Sequence, residues 1–448
     1  MKKLLVVLLS LGLIFAFSMT ASAVDVKFGG QYYLSGVYWA NSGAVKDDDH
    51  TSRAFFYTRT RIQPVFTIAE GLTFTMRLDA LEKQWGQTNF KNVNFSDEPL
   101  SRKQNPTYEP GRGVQENVEF ERAYVTAKTA IGAFQVGYQA ADEWGTAFSD
   151  NGTTRPRIVY LLPVGPVTIQ AIYEKFYESD TAVPYGAAKR HVDADYDTYA
   201  LAPVFKFPGG NAGLLMKYYA NSSQRDPSLG AYKSNTYLIA PYMKATFGPV
   251  YVEAEFDYWG GKAAEFDSEA HASDKDLKSW AAYVKVQGNF GPAFAGGQFG
   301  YATGNDPDDP SEVKQYPGGG GTSWNPALIL MNDDLNTWGG GGVTSSPAGV
   351  TSKKYNMMLV NAFGGFKVTP KFQIDAAVTW AKVNEVAHGV DDKLGTEVDL
   401  TATYKIYDNL SYMVGAGYLF VGDYFKGASS HKEVDNDYLL INKLTLSF

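Results

Sequence analysis

The 448-residue chain contains 15% aromatic residues and 45 glycines, a composition typical of transmembrane β-barrels and also of large soluble β-proteins. Its formal net charge is −8, which argues against a nucleic-acid-binding protein. It contains no cysteine, which excludes disulfides and covalently attached c-type haem.

Residues 1–23 have the organisation of a secretory signal peptide. Two lysines precede an apolar run from Leu4 to Phe17, and Ala21-Ser22-Ala23 supplies small residues for cleavage. The apolar run is short for a membrane-spanning helix, although a retained anchor helix is the alternative. No later stretch reaches the length of such a helix. We therefore expect residues 24–448 to form one mature domain with a net charge of −10.

Short turns and long polar connections alternate along the mature chain. Eight tight turns separate the segments; seven contain Gly or Pro and the eighth contains Asp-Asn, as turn geometry requires. The turns lie at 69–71, 130–132, 163–166, 208–211, 247–249, 289–292, 369–371 and 407–409. The nine long connections lie at 41–52, 82–116, 142–154, 178–196, 221–234, 260–276, 302–353, 384–394 and 421–436.

This alternation predicts an all-β protein: an antiparallel, up-and-down transmembrane barrel of about 18 strands. The short turns would be periplasmic and the long loops extracellular. Residues 250–259 show the expected alternation of faces most clearly, because the apolar residues at even positions alternate with Tyr251, Glu253, Glu255 and Asp257. A soluble β-sandwich would show the same strand pattern, but the signal peptide and the turn asymmetry favour the barrel.

The charged residues predict two walls in the lumen. All 11 arginines lie between Arg53 and Arg225. Those on the polar faces of predicted strands two to four are Arg59, Arg61, Arg77 and Arg122, and the acids of strand eleven are Glu253, Glu255 and Asp257. Because strands three and eleven are nearly opposite in a ring of 18, we expect a basic wall to face an acidic wall and to orient dipolar solutes. The alternatives are scattered lumenal charges, or local pairs such as Arg77 with Asp79.

A hairpin and the loop after it carry a family resemblance. Residues 121–128, 131–139 and 144–148 resemble the early hairpin and following loop of proteobacterial outer-membrane porins, and more narrowly those of metal-reducing delta-proteobacteria. The resemblance implies a water-filled diffusion channel, in some members a selective one. It does not indicate which solute passes.

Motifs for catalysis or nucleotide binding are missing from the sequence. We find no G-x-x-x-x-G-K-[ST], H-E-x-x-H or G-x-S-x-G pattern. The five histidines, His50, His191, His271, His388 and His431, all fall in long connections. The alternatives to solvated loop polarity are a metal site at the rim and Ca²⁺ bound by Asp306, Asp308 and Asp309, but no EF-hand pattern is present. We therefore predict no enzyme, no cofactor and no metal.

An apolar island, residues 325–331, interrupts the longest loop. Because an exposed apolar loop is a liability, we expect this island to pack into the barrel mouth or against a neighbouring subunit.

The chain ends in an alternating strand, residues 437–448, whose apolar face finishes with Phe448. This ending resembles the closing strand of bacterial outer-membrane barrels, and the resemblance implies that Phe448 is the signal read by the barrel-assembly machinery. We expect this strand to pair with strand one, about residues 26–39, because an open edge would leave unpaired backbone groups in lipid.

These features together predict a bacterial outer-membrane porin for small hydrophilic solutes and ions. Its expected surroundings are membrane lipid and lipopolysaccharide, and a homotrimer is one candidate assembly. Nucleic acid is not an expected partner. The alternatives are a substrate-selective channel, a barrel scaffold for a redox or haem partner, and a barrel enzyme such as a surface protease or lipase.

Overall fold

The computed structural model describes residues 24–44, 46, 52–85, 118–150, 152–178, 194–225, 231–267, 272–318, 323–338, 355–428 and 433–448. The predicted signal peptide lies outside these residues. Among the residues described, no helix has the length and apolar character that a membrane crossing by a helix requires.

Eighteen long strands and one two-residue strand make up the sheet. They are β1 (Asp25–Ala40), β2 (Arg53–Ala69), β3 (Leu72–Gln84), β4 (Val118–Thr129), β5 (Gly132–Ala141), β6 (Thr153–Val164), β7 (Val167–Tyr177), β8 (Tyr196–Phe207), β9 (Gly210–Asn221), β10 (Tyr232–Phe247), β11 (Val250–Phe266), β12 (Lys275–Phe290), β13 (Ala293–Ala302), β14 (Glu312–Val313), β15 (Met357–Thr369), β16 (Phe372–Val383), β17 (Lys393–Tyr407), β18 (Leu410–Val421) and β19 (Asp437–Ser447). One short helix, α1 (Asp333–Trp338), and a 3-10 turn, Asp423–Lys426, lie in the connections.

The long strands pair antiparallel in chain order, with β13 next to β15, and β19 pairs with β1 to close the barrel. The small β14 lies parallel to the start of β12 and does not belong to the ring of 18. The prediction of a closed 18-stranded up-and-down barrel is therefore confirmed.

The closing seam is well bonded at both ends. At the short-turn end, the backbone N–H of Gly30 donates to the Phe448 carbonyl (2.8 Å), and the Phe448 N–H donates back to Gly30 (3.1 Å). At the long-loop end, the Trp39 indole donates to Asp437 Oδ2 across 2.6 Å. In a closed ring every strand has a neighbour on both sides, so no strand edge exposes unpaired backbone groups to lipid.

The eight short turns fall where the sequence predicts them. Gly248, between β10 and β11, shows why: its φ is +58°, a left-handed conformation that a glycine adopts without steric cost. The turns are short enough that neighbouring strands pair along most of their length, so side chains alternate between the two faces except at local register shifts, such as that between Thr58 and Thr60.

The two faces of the barrel differ in chemistry. Apolar side chains on the outer face stay exposed, including Phe256 (42%), Leu400 (56%) and Leu440 (51%). Between them, the inward positions of the same strands hold buried acids such as Asp257 and Glu397. An apolar exterior around a polar interior is the arrangement of a transmembrane barrel.

Candidate functional site

The loop from β5 to β6, residues 142–150, folds into the lumen and rests against β10 and β11. Its Trp144 indole donates to the Ala240 carbonyl (2.8 Å). Thr146 donates from its backbone N–H and from its hydroxyl to Glu255 Oε2, at 2.6 Å each. The Ser149 hydroxyl donates to Asp257. Two acids of β11 therefore hold this loop against the inner wall.

A second segment, residues 323–338, also folds into the lumen. The backbone N–H groups of Ile329 and Leu330 donate to the two carboxylate oxygens of Glu397 on β17, each across 2.7 Å. Leu328 N–H lies 3.3 Å from Asp399 Oδ2. The apolar island of the longest loop is thus packed inside the barrel mouth, the first of the two positions that we expected.

The two inward segments touch each other through aromatic rings. Phe148 of the first segment stacks on Tyr283 of β12, with ring centroids 5.1 Å apart, and meets the edge of Trp324 at the same distance. The Trp324 indole donates to Gln298 of β13 (2.9 Å). The segments therefore form one packed body, which lies mainly against β10 to β19 and reaches β2 through the hydrogen bond from the Tyr57 hydroxyl to Asp334.

The four predicted arginines lie on the inner faces of β2, β3 and β4, and each has a nearby acid. Arg61 makes two hydrogen bonds to Asp79 (2.7 and 2.5 Å), and Arg77 lies 3.7 Å from the same carboxylate. Arg59 pairs with Glu82 (3.3 Å), and Arg122 pairs with Glu143 (3.1 Å). Local ion pairs, the arrangement weighed as the alternative, are present throughout this wall.

The predicted acids Glu253, Glu255 and Asp257 lie on the inner face of β11 and are buried, at 8%, 4% and 1% exposure. Glu255 and Asp257 bond the loop at 142–150, and Tyr316 also donates to Asp257. Glu253 instead accepts hydrogen bonds from Tyr251 (2.7 Å) and Tyr283 (2.8 Å). The opposition of a basic and an acidic wall stays a prediction.

Sequence reasoning missed a second basic cluster, formed by Arg155, Arg157 and Lys217 on β6 and β9. Lys217 bridges Glu174 (2.7 Å) and Asp142 (3.3 Å), while Arg157 pairs with Glu174 (2.9 Å). Arg155 pairs with Asp142 (2.7 Å). The sequence contained a signal for it: the two arginines are two positions apart on a strand, so both must face the same side.

This cluster borders a cavity of about 480 Å³ between the inward loop and the wall from β6 to β12. The lining of the cavity combines charged groups, among them Arg155, Arg157 and Lys217 with the acids that pair with them, and apolar groups. The apolar groups include Leu215, Leu238, Tyr219 and Trp259. The Arg155 guanidinium lies 3.3 Å from the centre of the Phe176 ring, a cation–π contact. The cavity therefore offers charge and apolar surface side by side.

Asp142 joins the base of the loop to this cluster. Burial alone would raise the pKa of its carboxyl, but Lys217 and Arg155 outweigh burial and lower that pKa to about 2. The carboxylate therefore stays charged at all physiological pH values and keeps the loop base attached to β6 and β9.

The described residues offer little to a metal ion. Oxygens of Asp79, Glu82 and Glu121 lie within 4.8 Å of one another, but Arg61 and Arg59 already pair with the first two acids. In the loop before β14, Asp306 and Asp309 both lie 3.6 Å from Lys314. Ammonium and guanidinium groups already pair with Asp79, Glu82, Asp306 and Asp309, so we interpret these acids as members of ion-pair clusters.

No protein-family model matches the chain, and a comparison with curated proteins finds no match. Among solved structures, the structural neighbours are bacterial outer-membrane channels. OccAB2 of Acinetobacter baumannii has a TM-score of 0.52 at 11% identity, covering 94% of this chain and 98% of that chain. OccK8 (OprE) of Pseudomonas aeruginosa has a TM-score of 0.51 at 10% identity, with 94% and 98% covered. The likeness is one of fold. The narrower resemblance to porins of delta-proteobacteria stays a prediction.

Proposed function

We propose that the protein is a porin of the bacterial outer membrane that lets small hydrophilic solutes and ions diffuse passively through its lumen. The observation that carries this proposal is the closed 18-stranded barrel with an apolar outer face and a charged inner face. A ring of 18 strands is wide enough to enclose an aqueous channel. The inward segments narrow that channel from the β10–β19 side.

The path proposed for solutes runs along the basic side of the lumen. The inner faces of β2 to β6 and of β9 carry Arg61, Arg77, Arg122, Arg157 and Lys217, each beside an acid. Alternating donors and acceptors of this kind can replace part of the hydration shell of a polar solute. Liposomes that contain the purified protein should swell in small neutral sugars, and an absence of swelling would contradict the proposal.

Opposed walls remain part of the proposal, with Arg59, Arg61, Arg77 and Arg122 facing the acids of β11. Because the arginines have local partners, their field should act over a short range. Neutralising all four should shift the reversal potential toward cations. The shift should shrink in high salt, since the Debye length falls from about 10 Å at 0.1 M to about 3 Å at 1 M.

We also propose the cellular setting. Residues 1–23 would direct export, the barrel-assembly machinery would insert the chain, and lipid and lipopolysaccharide would surround it. A homotrimer is the assembly to test first, by crosslinking in the membrane. Cell fractionation that leaves the protein outside the outer membrane would overturn this setting.

A second candidate function, a substrate-selective channel, is favoured by the cavity of about 480 Å³. Its charged and apolar lining groups suit a solute that carries both a charged group and an apolar ring. Phenylalanine should therefore interrupt the ionic current more than alanine, which has the same charged groups without the ring. Arg155→Gln should reduce the difference between the two. Equal effects of both solutes would leave the general porin as the better description.

A further inference from the structure

The buried acids of β11 and β17 have an unusual set of hydrogen-bond donors. Glu255 and Glu397 are 4% and 0% exposed. A carboxylate buried to this extent needs strong donors, because it has lost its water. In both residues the donors are groups of a loop that enters the lumen: Thr146 for Glu255, and Ile329 with Leu330 for Glu397.

Glycines beside these acids allow the two loops to approach closely. Gly145 has a φ of +64°, and a Cβ there would lie 2.8 Å from Glu255 Oε2, so only glycine lets the loop approach this closely. On β18, a Cβ at Gly417 would lie 2.7 Å from Asp399 and 3.2 Å from both Glu397 and Leu328. Glycine at these two places makes room for each loop beside its acid.

We propose that Glu255 and Glu397 are positioning residues that set the width of the channel by holding the two inward segments against the wall. The part of this inference that concerns the width of the channel rests on the proposed porin function. Each carboxyl group accepts two hydrogen bonds from its segment, which fixes the segment to the wall at two points. Because Phe148 and Trp324 are in contact, the two anchored segments form one constriction.

The chain offers a matched control on the same strand face. Glu253 lies two residues before Glu255 and faces the same side, but its hydrogen bonds come from Tyr251 and Tyr283 of the barrel wall. Glu253→Gln therefore removes one negative charge from the wall and leaves the loop anchors in place. A purely electrostatic role would make Glu253→Gln and Glu255→Gln equivalent.

Neutral sugars of increasing size measure the width of the channel without responding to its charge. Liposomes should admit larger sugars with Glu255→Gln or Glu397→Gln than with the wild type. In Glu397→Gln, the amide nitrogen replaces one of the two oxygens that accept from the loop. In Glu255→Gln, one amide oxygen, a weaker acceptor than a carboxylate oxygen, must accept both donors of Thr146. Glu253→Gln should keep the size limit of the wild type. The anchor proposal is wrong if the two anchor variants keep that limit, or if the control widens equally.

A second measurement does not depend on transport. Because the chain has no cysteine, a single Cys at Ala147 or Ala327 would be its only thiol. Labelling by a water-soluble maleimide should be faster at Ala147→Cys in the Glu255→Gln background, and at Ala327→Cys in the Glu397→Gln background. Glu253→Gln should leave both rates unchanged. Equal rates in all backgrounds would overturn the proposal.

Two further readouts keep the outcomes distinct. If the wild type causes no swelling, the porin function fails, while the labelling rates still decide whether the acids hold the loops.

If a glutamine variant does not fold, Thr146→Val tests the same anchor from the loop side with every charge intact. It removes one of the two donors to Glu255 and should accelerate labelling at Ala147→Cys; an unchanged rate would contradict the anchor.

Discussion

Arg61 and Asp79 form a two-point ion pair between β2 and β3, with N···O distances of 2.7 and 2.5 Å. The side chain of Asp79 is 1% exposed, whereas that of Arg61 is 21% exposed. The Arg61 guanidinium is therefore the partner that is accessible from the lumen, and the buried Asp79 carboxylate compensates much of its charge. Charge on this wall is arranged in pairs rather than as a uniform basic surface.

Removing one or both members of this pair should change ion selectivity in a defined way. Asp79→Asn leaves Arg61 and Arg77 uncompensated, so the reversal potential should move toward anions. Arg61→Gln should move it toward cations. The double variant removes both charges and should return close to the wild-type value, because the net charge of the wall is then unchanged.

The measurement is the zero-current potential across a bilayer with a salt gradient. If neither single variant shifts it, the pair does not lie on the path of the permeating ions.

Much of the barrel could be predicted because its signals are local. Gly248 marks a turn, and the residues from Val250 to Tyr258 alternate faces without help from distant parts of the chain. The closure of β1 on β19 followed from the need to pair every backbone group in lipid. These features depend on neighbouring residues or on a general rule.

The site was harder to predict because its contacts join distant residues. Thr146 and Glu255 are 109 positions apart, and Ile329 and Glu397 are 68 apart. No periodic pattern links such positions, so the sequence could place Glu255 on the inner face but could not identify the loop that covers it. The apolar island was recognisable as a buried segment, yet its acidic anchors were not.

A substitution on the outer face tests the assignment of faces. Ala254 lies between Glu253 and Glu255 and points outward, where it is paired in register with Met243 and Val284. Ala254→Arg should destabilise the barrel by about 2–4 kcal/mol if this position lies near the bilayer midplane.

Unfolding by urea in lipid vesicles measures this loss. Glu253→Gln, at the neighbouring inward position, should cost much less. Equal losses would mean that the two faces are wrongly assigned.

The last residue should matter for assembly more than for stability. Phe448 is 58% exposed, and its backbone pairs with Gly30. Deleting it removes only the end of the seam, so the truncated chain should still refold in detergent. In cells, however, its level in the outer membrane should fall sharply if Phe448 is the assembly signal.

Quantitative fractionation checks this expectation, with Phe448→Tyr as the aromatic control. Normal membrane levels of the truncated protein would disprove the assigned role.

Acid should loosen the base of the inward loop only at very low pH. The pKa of Asp142 is about 2 in the folded protein, below the ordinary value of about 3.9 for an aspartate. A lowered folded pKa adds stability that is fully present above about pH 4 and is lost as the pH falls toward about 2.

The stability difference between the wild type and Asp142→Asn should therefore stay constant from pH 7 to about pH 4 and shrink below that. Unfolding midpoints across this range measure the difference. A difference already lost at pH 5, or one that persists below pH 2, would contradict the ion pairs of Asp142 with Arg155 and Lys217.

The most direct test of the porin proposal is the current through single molecules in a planar lipid bilayer. Folded protein should insert in discrete steps of ionic current, and the step size should rise with the salt concentration because the pore is filled with water. If protein that is shown to be folded and inserted produces no such steps, the barrel is not an open channel.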